Sequence, residues 1–209
     1  MAGKVLVLLA HPVLERSRVN RRLAEAAAGL EGVTVHDLYE TYPTLVIDAK
    51  REQALLASHQ TLVLQHPFYW YSSPALLKEW QDIVLEHGWA YGKGGTALNE
   101  KIMVSAITTG GPAMAYRKDG YNRFTIKELL SPFNQTAHLC GMRYLAPFAI
   151  HGSLRFESPE EVVPLTTRYL KLLTALRDGE IDLDRAAEVE NLVDSVDSVV
   201  SSRVEVRAP

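Results

Sequence analysis

Five short apolar runs with little polar alternation recur along the chain, at residues 5–10, 33–36, 61–65, 102–107 and 144–150. Runs of this kind suit strands covered on both faces, as in a parallel sheet. Segments with apolar residues at helical spacing separate them. Residues 17–30 are rich in Ala, Leu and Arg, and 48–58 open on Asp48, an N-cap candidate. Residues 74–86 carry Pro74 at the first turn, and a fourth segment covers 126–140. A fifth runs from Ser158 to about Leu176, with Ser158 and Glu161 at capping-box spacing.

The order is strand–helix repeated five times. Right-handed crossovers turn that order into a three-layer α/β/α sandwich around a five-stranded parallel sheet. Ligands of such sheets bind beyond the carboxyl ends of the strands, beside a topological switch point. Functional residues are therefore expected just after strands one, three and four. We read residues 1–178 as one domain and 179–209 as an acidic, partly helical extension. In the extension Val189, Leu192, Val193, Val196, Val199 and Val200 form one helical stripe. Two readings of it stand: an amphipathic helix docking on a partner, or a frayed acidic tail.

Composition narrows the picture. With 209 residues, 47% hydrophobic, the chain can bury one full core. A net charge of -3 gives no footprint for nucleic acid and no polybasic patch for an anionic membrane. The single cysteine, Cys140, excludes an internal disulfide, and no apolar stretch reaches the roughly 20 residues of a membrane span. A cytoplasmic protein is expected. Cys140 reads as packed rather than reactive. His11, His66 and His151 are too scattered for a metal set, and His66 and His151 read as structural. Residues 92–96, rich in glycine, lack phosphate-loop spacing and read as a flexible connection.

Three loops carry candidate chemistry. After strand one, His11-Pro12 leads to Ser17-Arg18-Val19-Asn20, with none of the glycines of a dinucleotide fingerprint. Hydroxyl, guanidinium and amide groups at a helix start suit one phosphate, or equally a plain N-cap beside solvated arginines. After strand three, Pro67-Phe68-Tyr69-Trp70-Tyr71 places four consecutive aromatics in a loop. They suit stacking on a flat heterocycle, or burial in a subunit interface. After strand four, Thr108-Thr109-Gly110-Gly111 offers backbone N–H groups to a ligand, or forms an ordinary turn.

Taken in order, these stretches resemble the flavodoxin-like NAD(P)H dehydrogenase (quinone) family, and within it the ancillary proteins of bacterial glutathione-regulated potassium-efflux systems (the KefF and KefG type). Further matching stretches are His36-Asp37-Leu38-Tyr39, Tyr42-Pro43, Ile47-Asp48, Pro74 to Trp80, and His87 to Gly92. The resemblance spans about residues 4–175 and leaves the tail uncovered. It implies a flavodoxin-like sheet of order 2-1-3-4-5, a homodimer, and two-electron reduction of quinones by NAD(P)H in a ping-pong cycle. It implies FMN at the sheet edge, FAD being the alternative, held by His11, Ser17 to Asn20, Pro67 to Tyr71, and Thr108 to Gly111. Gly111 and Tyr116 fall at its catalytic positions. Where its better-studied members carry a relay histidine, this chain has Asp119-Gly120-Tyr121-Asn122. The rival expectation is a flavin-binding regulatory subunit that docks on a potassium antiporter at the inner face of the membrane and turns over little.

Overall fold

The computed structural model describes residues 3–201, so the last part of the extension, 202–209, lies outside the described residues. The strands are β1 (Val5–Leu9), β2 (Val33–Asp37), β3 (Thr61–Pro67) and β4 (Ile102–Thr108). The fifth apolar run is divided into β5 (Arg143–Tyr144) and β6 (Phe148–Ile150). Every strand pairing is parallel, and the order is β2-β1-β3-β4-β5, with β6 also alongside β4. Order 2-1-3-4-5 is thus observed, with its fifth member split at residues 145–147, where Pro147 has no N–H to give a ladder.

Alternate strand residues face opposite layers. Val5 and Val7 join a core with α1 (Asn20–Ala28) and α7 (Val163–Asp178). Leu6 and Leu8 join a second core on the other face. That core includes α2 (Leu38–Thr41), α3 (Ala49–Ala57), α4 (Ala75–Val84), α5 (Ile126–Leu129) and α6 (Ser131–Leu139). Asp48 caps α3 through the Arg51 N–H at 3.1 Å. The fourth predicted helix is two, and its start carries a capping box, Thr125 with Glu128, that the sequence reading passed over. Glu161 does accept the Ser158 N–H at 3.0 Å, but α7 begins only at Val163. Gly179, at φ +72°, ends α7 in the left-handed conformation that glycine adopts without strain.

Two expectations change. Residues 92–96 are a built turn, not a slack connection: a Cβ on Gly95 would lie 2.1 Å from the Tyr91 carbonyl oxygen. The apolar stripe of the tail covers the protein's own core. It forms α9 (Leu192–Val199), following α8 (Leu183–Glu188), and Leu192, Val193, Val196, Val199 and Val200 are buried in the same cluster as β1 and α7. Burying such side chains contributes roughly 1.5–3 kcal/mol each, so this stripe is satisfied within the chain. No helix among the described residues is long and apolar enough to cross a membrane.

Candidate functional site

β1 has β2 on one side and β3 on the other, so the strand order reverses beside it. The crevice at such a reversal opens at the carboxyl ends of the strands. A cavity of about 640 Å³ lies there, within the 300–1,000 Å³ usual for small-molecule sites. The β1 loop contributes His11 and the Arg16 to Val19 turn. The end of β3 contributes Pro67, Phe68 and Tyr69, and the end of β4 contributes Thr108 and Gly110. A fourth loop, after β6, closes the cavity with Ser153 and Leu154. Sequence reasoning missed this loop; its signal was the Gly152-Ser153 pair directly after the fifth apolar run.

At the phosphate-type turn the Ser17 hydroxyl accepts the Asn20 N–H at 3.0 Å. Ser17 therefore braces the helix start, and its own proton is left to donate. Arg18 donates to the Phe156 carbonyl at 2.5 Å, which fixes the guanidinium beside the cavity and leaves it further N–H donors. Arg16 lines the same wall. Asn20 lies beneath the cavity rather than along it: fully buried, it donates to the Thr108 hydroxyl at 2.9 Å, and its Oδ1 has no partner among the described residues. On the opposite side the His11 Nδ1 accepts the Val13 N–H at 3.2 Å, which puts the ring proton on Nε2. Burial lowers the His11 pKa, against the pull of Asp37 and Glu15, so the ring is neutral.

The aromatic loop is strained. Trp70 (φ +49°) and Tyr71 (φ +62°) are consecutive non-glycine residues in the left-handed region. Such conformations cost about 1–3 kcal/mol each and concentrate at functional sites. Trp70 is 93% exposed and lies outside the cavity lining, as does Tyr71. Phe68, in contrast, is buried, with its ring edge-on to both Tyr71 and Tyr116.

Gly110 and Gly111 divide two spaces. Gly110 faces the cavity just described; Gly111 lines a neighbouring one of about 670 Å³ with Tyr116 and the 119–122 loop. Neither glycine has a positive φ, so their value is the space a Cβ would take: on Gly110 it would press on Leu154 at 3.3 Å. Thr109 is buried between the spaces and donates to the Gly111 carbonyl at 2.9 Å. Burial raises the Tyr116 pKa, so the phenol keeps its proton at neutral pH.

His66 and His151 part company. His66 is fully buried, donates from Nδ1 to the Pro67 carbonyl at 3.0 Å and stacks on Phe133; burial pushes its pKa down to about 4. It is structural, as expected. His151 lines neither cavity but packs behind one: its ring lies against Tyr116 with centroids 5.3 Å apart, and Nδ1 is 3.0 Å from the Thr109 hydroxyl. Cys140 is buried in the core, and burial raises its thiol pKa.

A parallel sheet of this order, with a phosphate-type turn that lacks glycines and aromatics at the next strand end, defines a flavodoxin-like protein. The chain belongs to the flavodoxin-like-fold family, which it matches over residues 3–173. It is 51% identical over 166 residues to the glutathione-regulated potassium-efflux system ancillary protein KefG of Serratia proteamaculans, covering 79% of this chain and 90% of the relative. Among solved structures it resembles general stress protein 14 of Treponema denticola in complex with FMN. That match has a TM-score of 0.79 and 41% identity, over 83% of this chain and 99% of the other. It also resembles an NADPH-quinone reductase from P. pentosaceus, with a TM-score of 0.72 and 31% identity, over 89% and 99%.

Proposed function

We propose that the protein is an FMN-dependent NAD(P)H:quinone oxidoreductase. The observation that carries this reading is the 640 Å³ cavity at the strand-order reversal, with a phosphate-type donor set at one end and aromatic and glycine walls at the other. The residues present fit FMN. Ser17, Arg16, Arg18 and the N-terminus of α1 would hold its phosphate. His11, Phe68, Tyr69 and Gly110 would flank its ring. Bound there, FMN supplies hydride acceptance from a nicotinamide and hydride delivery to a quinone, in alternating half-reactions. The relatives crystallised with FMN and named a quinone reductase support the assignment.

The chain's own residues do the rest. Backbone N–H groups of the Gly110–Gly111 turn favour negative charge at the ring edge nearest them. Reduction of a quinone to a hydroquinone takes up one hydride and one proton. Tyr116, protonated and in the neighbouring space, is placed to give that proton to the quinone oxygen, and solvent restores it. Met114, Tyr121 and Leu154, all more than two-thirds exposed, line the two spaces. A rim this apolar favours a second copy of the chain as its cover. The single phosphate-type turn at the cavity suits the one phosphate of FMN.

A second reading rests on the 51% identity to KefG. In it the flavin-loaded protein docks on a potassium antiporter and its own turnover is incidental. Steady-state oxidation of NADH and NADPH with a small soluble quinone separates the two. Turnover of the order of 1–1,000 per second is the enzyme's result. Flavin binding with negligible turnover is the regulator's result.

A further inference from the structure

The segment after Gly179 reaches the backbone that leads into and through β6. The Ala146 N–H donates to the Ala186 carbonyl at 2.9 Å, and the Leu192 N–H donates to the Pro147 carbonyl at 2.8 Å. The Asn191 side chain accepts the Ala149 N–H and donates to the Ala149 carbonyl, both at 2.9 Å. β6 pairs with β4 alone, so its other edge would otherwise present bare backbone. The extension closes that edge, and its last grip, on Ala149, stands two residues before His151.

His151 is correspondingly well fixed. The Gly152 N–H donates to the Gly111 carbonyl and the Ser153 N–H to the Thr109 carbonyl, both at 2.9 Å. With the Thr109 hydroxyl proton directed to the Gly111 carbonyl, the imidazole donates to Thr109 from Nδ1. The Tyr116 ring lies against the imidazole, tilted by 30°. The carboxylate that acts on the imidazole is Asp194, in the first turn of α9. The remaining titratable group facing the pair is Tyr71, which acts on Tyr116 and donates to Asn122 at 3.1 Å.

We propose that the extension is part of the proton-handling side of the site: Asn191, with Asp194 at the start of α9, braces the strand end that carries His151, and His151, bonded to Thr109 and packed on the Tyr116 ring, positions the Tyr116 side chain. His151 is a positioning residue. The inference deepens the quinone-reductase reading and rests on it for its substrate.

The test uses the full chain. Histidine ring resonances are titrated by NMR in the flavin-free protein, with His151→Gln assigning the signal. Burial lowers the His151 pKa and Asp194 raises it, so Asp194→Asn should move its midpoint down. In the FMN-loaded protein, His151→Gln should lower kcat about tenfold, leave KM within about twofold, and remove an inflection from the pH profile of kcat. His151→Asn is the second variant should the first not fold, and FMN content is measured on each. An unmoved midpoint in Asp194→Asn, or a pH profile of the His151 variants superimposable on the wild type, overturns the inference. If the loaded wild-type protein oxidises no NAD(P)H with a quinone, the quinone-reductase reading fails instead, and the ring titration still decides the link from Asp194 to His151.

Discussion

Glu52 offers a prediction whose size follows from the structure. Its carboxylate is fully buried on α3 and accepts from three donors: His36 Nε2 at 2.9 Å, the Tyr42 hydroxyl at 2.6 Å and Trp80 Nε1 at 2.8 Å. These tie the end of β2, the 42–48 loop and α4 to one atom group. Substituting Glu52→Gln keeps the shape. The amide oxygen still serves His36 and Tyr42, but as a neutral acceptor, at a loss of about 0.5–1 kcal/mol each. The amide nitrogen meets the Trp80 N–H donor to donor, and an unsatisfied buried donor costs about 1–3 kcal/mol. The sum is about 3 kcal/mol, or roughly 6–12 °C in Tm for a chain of this size. Chemical denaturation at pH 7 measures it. The pH dependence carries a sign. Burial raises the Glu52 pKa, but the bonds from His36, Tyr42 and Trp80 together outweigh it and hold it below the ordinary carboxylate value. A depressed folded pKa gives stability that is present above the unfolded value and lost as pH falls through the folded one. The gap between wild type and variant should therefore shrink in strong acid. A variant within 1 kcal/mol of wild type at pH 7 would refute the idea that this carboxylate latches the loop.

Four further outcomes are expected. Tyr116→Phe should slow quinone turnover about 100-fold with little change in FMN affinity, read by steady-state kinetics and flavin fluorescence; an unchanged rate removes Tyr116 from the chemistry. Arg18→Ala should weaken FMN about 10- to 100-fold while barely changing riboflavin binding, because the guanidinium addresses only the phosphate; equal losses for both ligands would contradict that placement. Leu192→Ala, at a fully buried position, should cost about 2–5 kcal/mol in a single cooperative transition; a separate early transition would show the extension unfolding by itself. His66, with a folded pKa of about 4 against 6.5 unfolded, should cost the protein about 3 kcal/mol as pH falls from 6.5 to 4, since the unfolded chain binds more protons there. In His66→Asn that slope should flatten, and equal slopes would sink the assignment.

The strands were legible because a sheet covered on both faces favours apolar residues along the whole strand, and residues 5–9 have them throughout and 102–107 at every position but Ser105. The three loops at the carboxyl ends followed from strand order alone. The split fifth strand was not legible. Pro147 marks a missing ladder bond, but the partners that take up the freed backbone at 146 and 147, the Ala186 carbonyl and the Leu192 N–H, are more than 35 residues away in sequence. For the same reason the stripe of the extension was visible but its occupant was not. Periodicity specifies an apolar surface and says nothing of what covers it. His151 read as structural because it lies far in sequence from the other histidines near strand ends; its partners, Thr109 and Tyr116, come from the β4 end and its loop. The stretch from His36 to Asp48 resolves into a latch and two caps. Asp37 caps α2, Asp48 caps α3, and His36 and Tyr42 meet on Glu52.

The central claim is that the crevice at the ends of β1, β3, β4 and β6 grips a redox-active flavin. An absorption titration of the flavin-free protein with FMN, followed anaerobically by NADH or NADPH and then a quinone, addresses it most directly. Saturable binding with a shifted flavin band, bleached by the nicotinamide and restored by the quinone, is the predicted course. A protein that takes up no FMN, or whose bound FMN keeps its colour with both nicotinamides, would contradict the account.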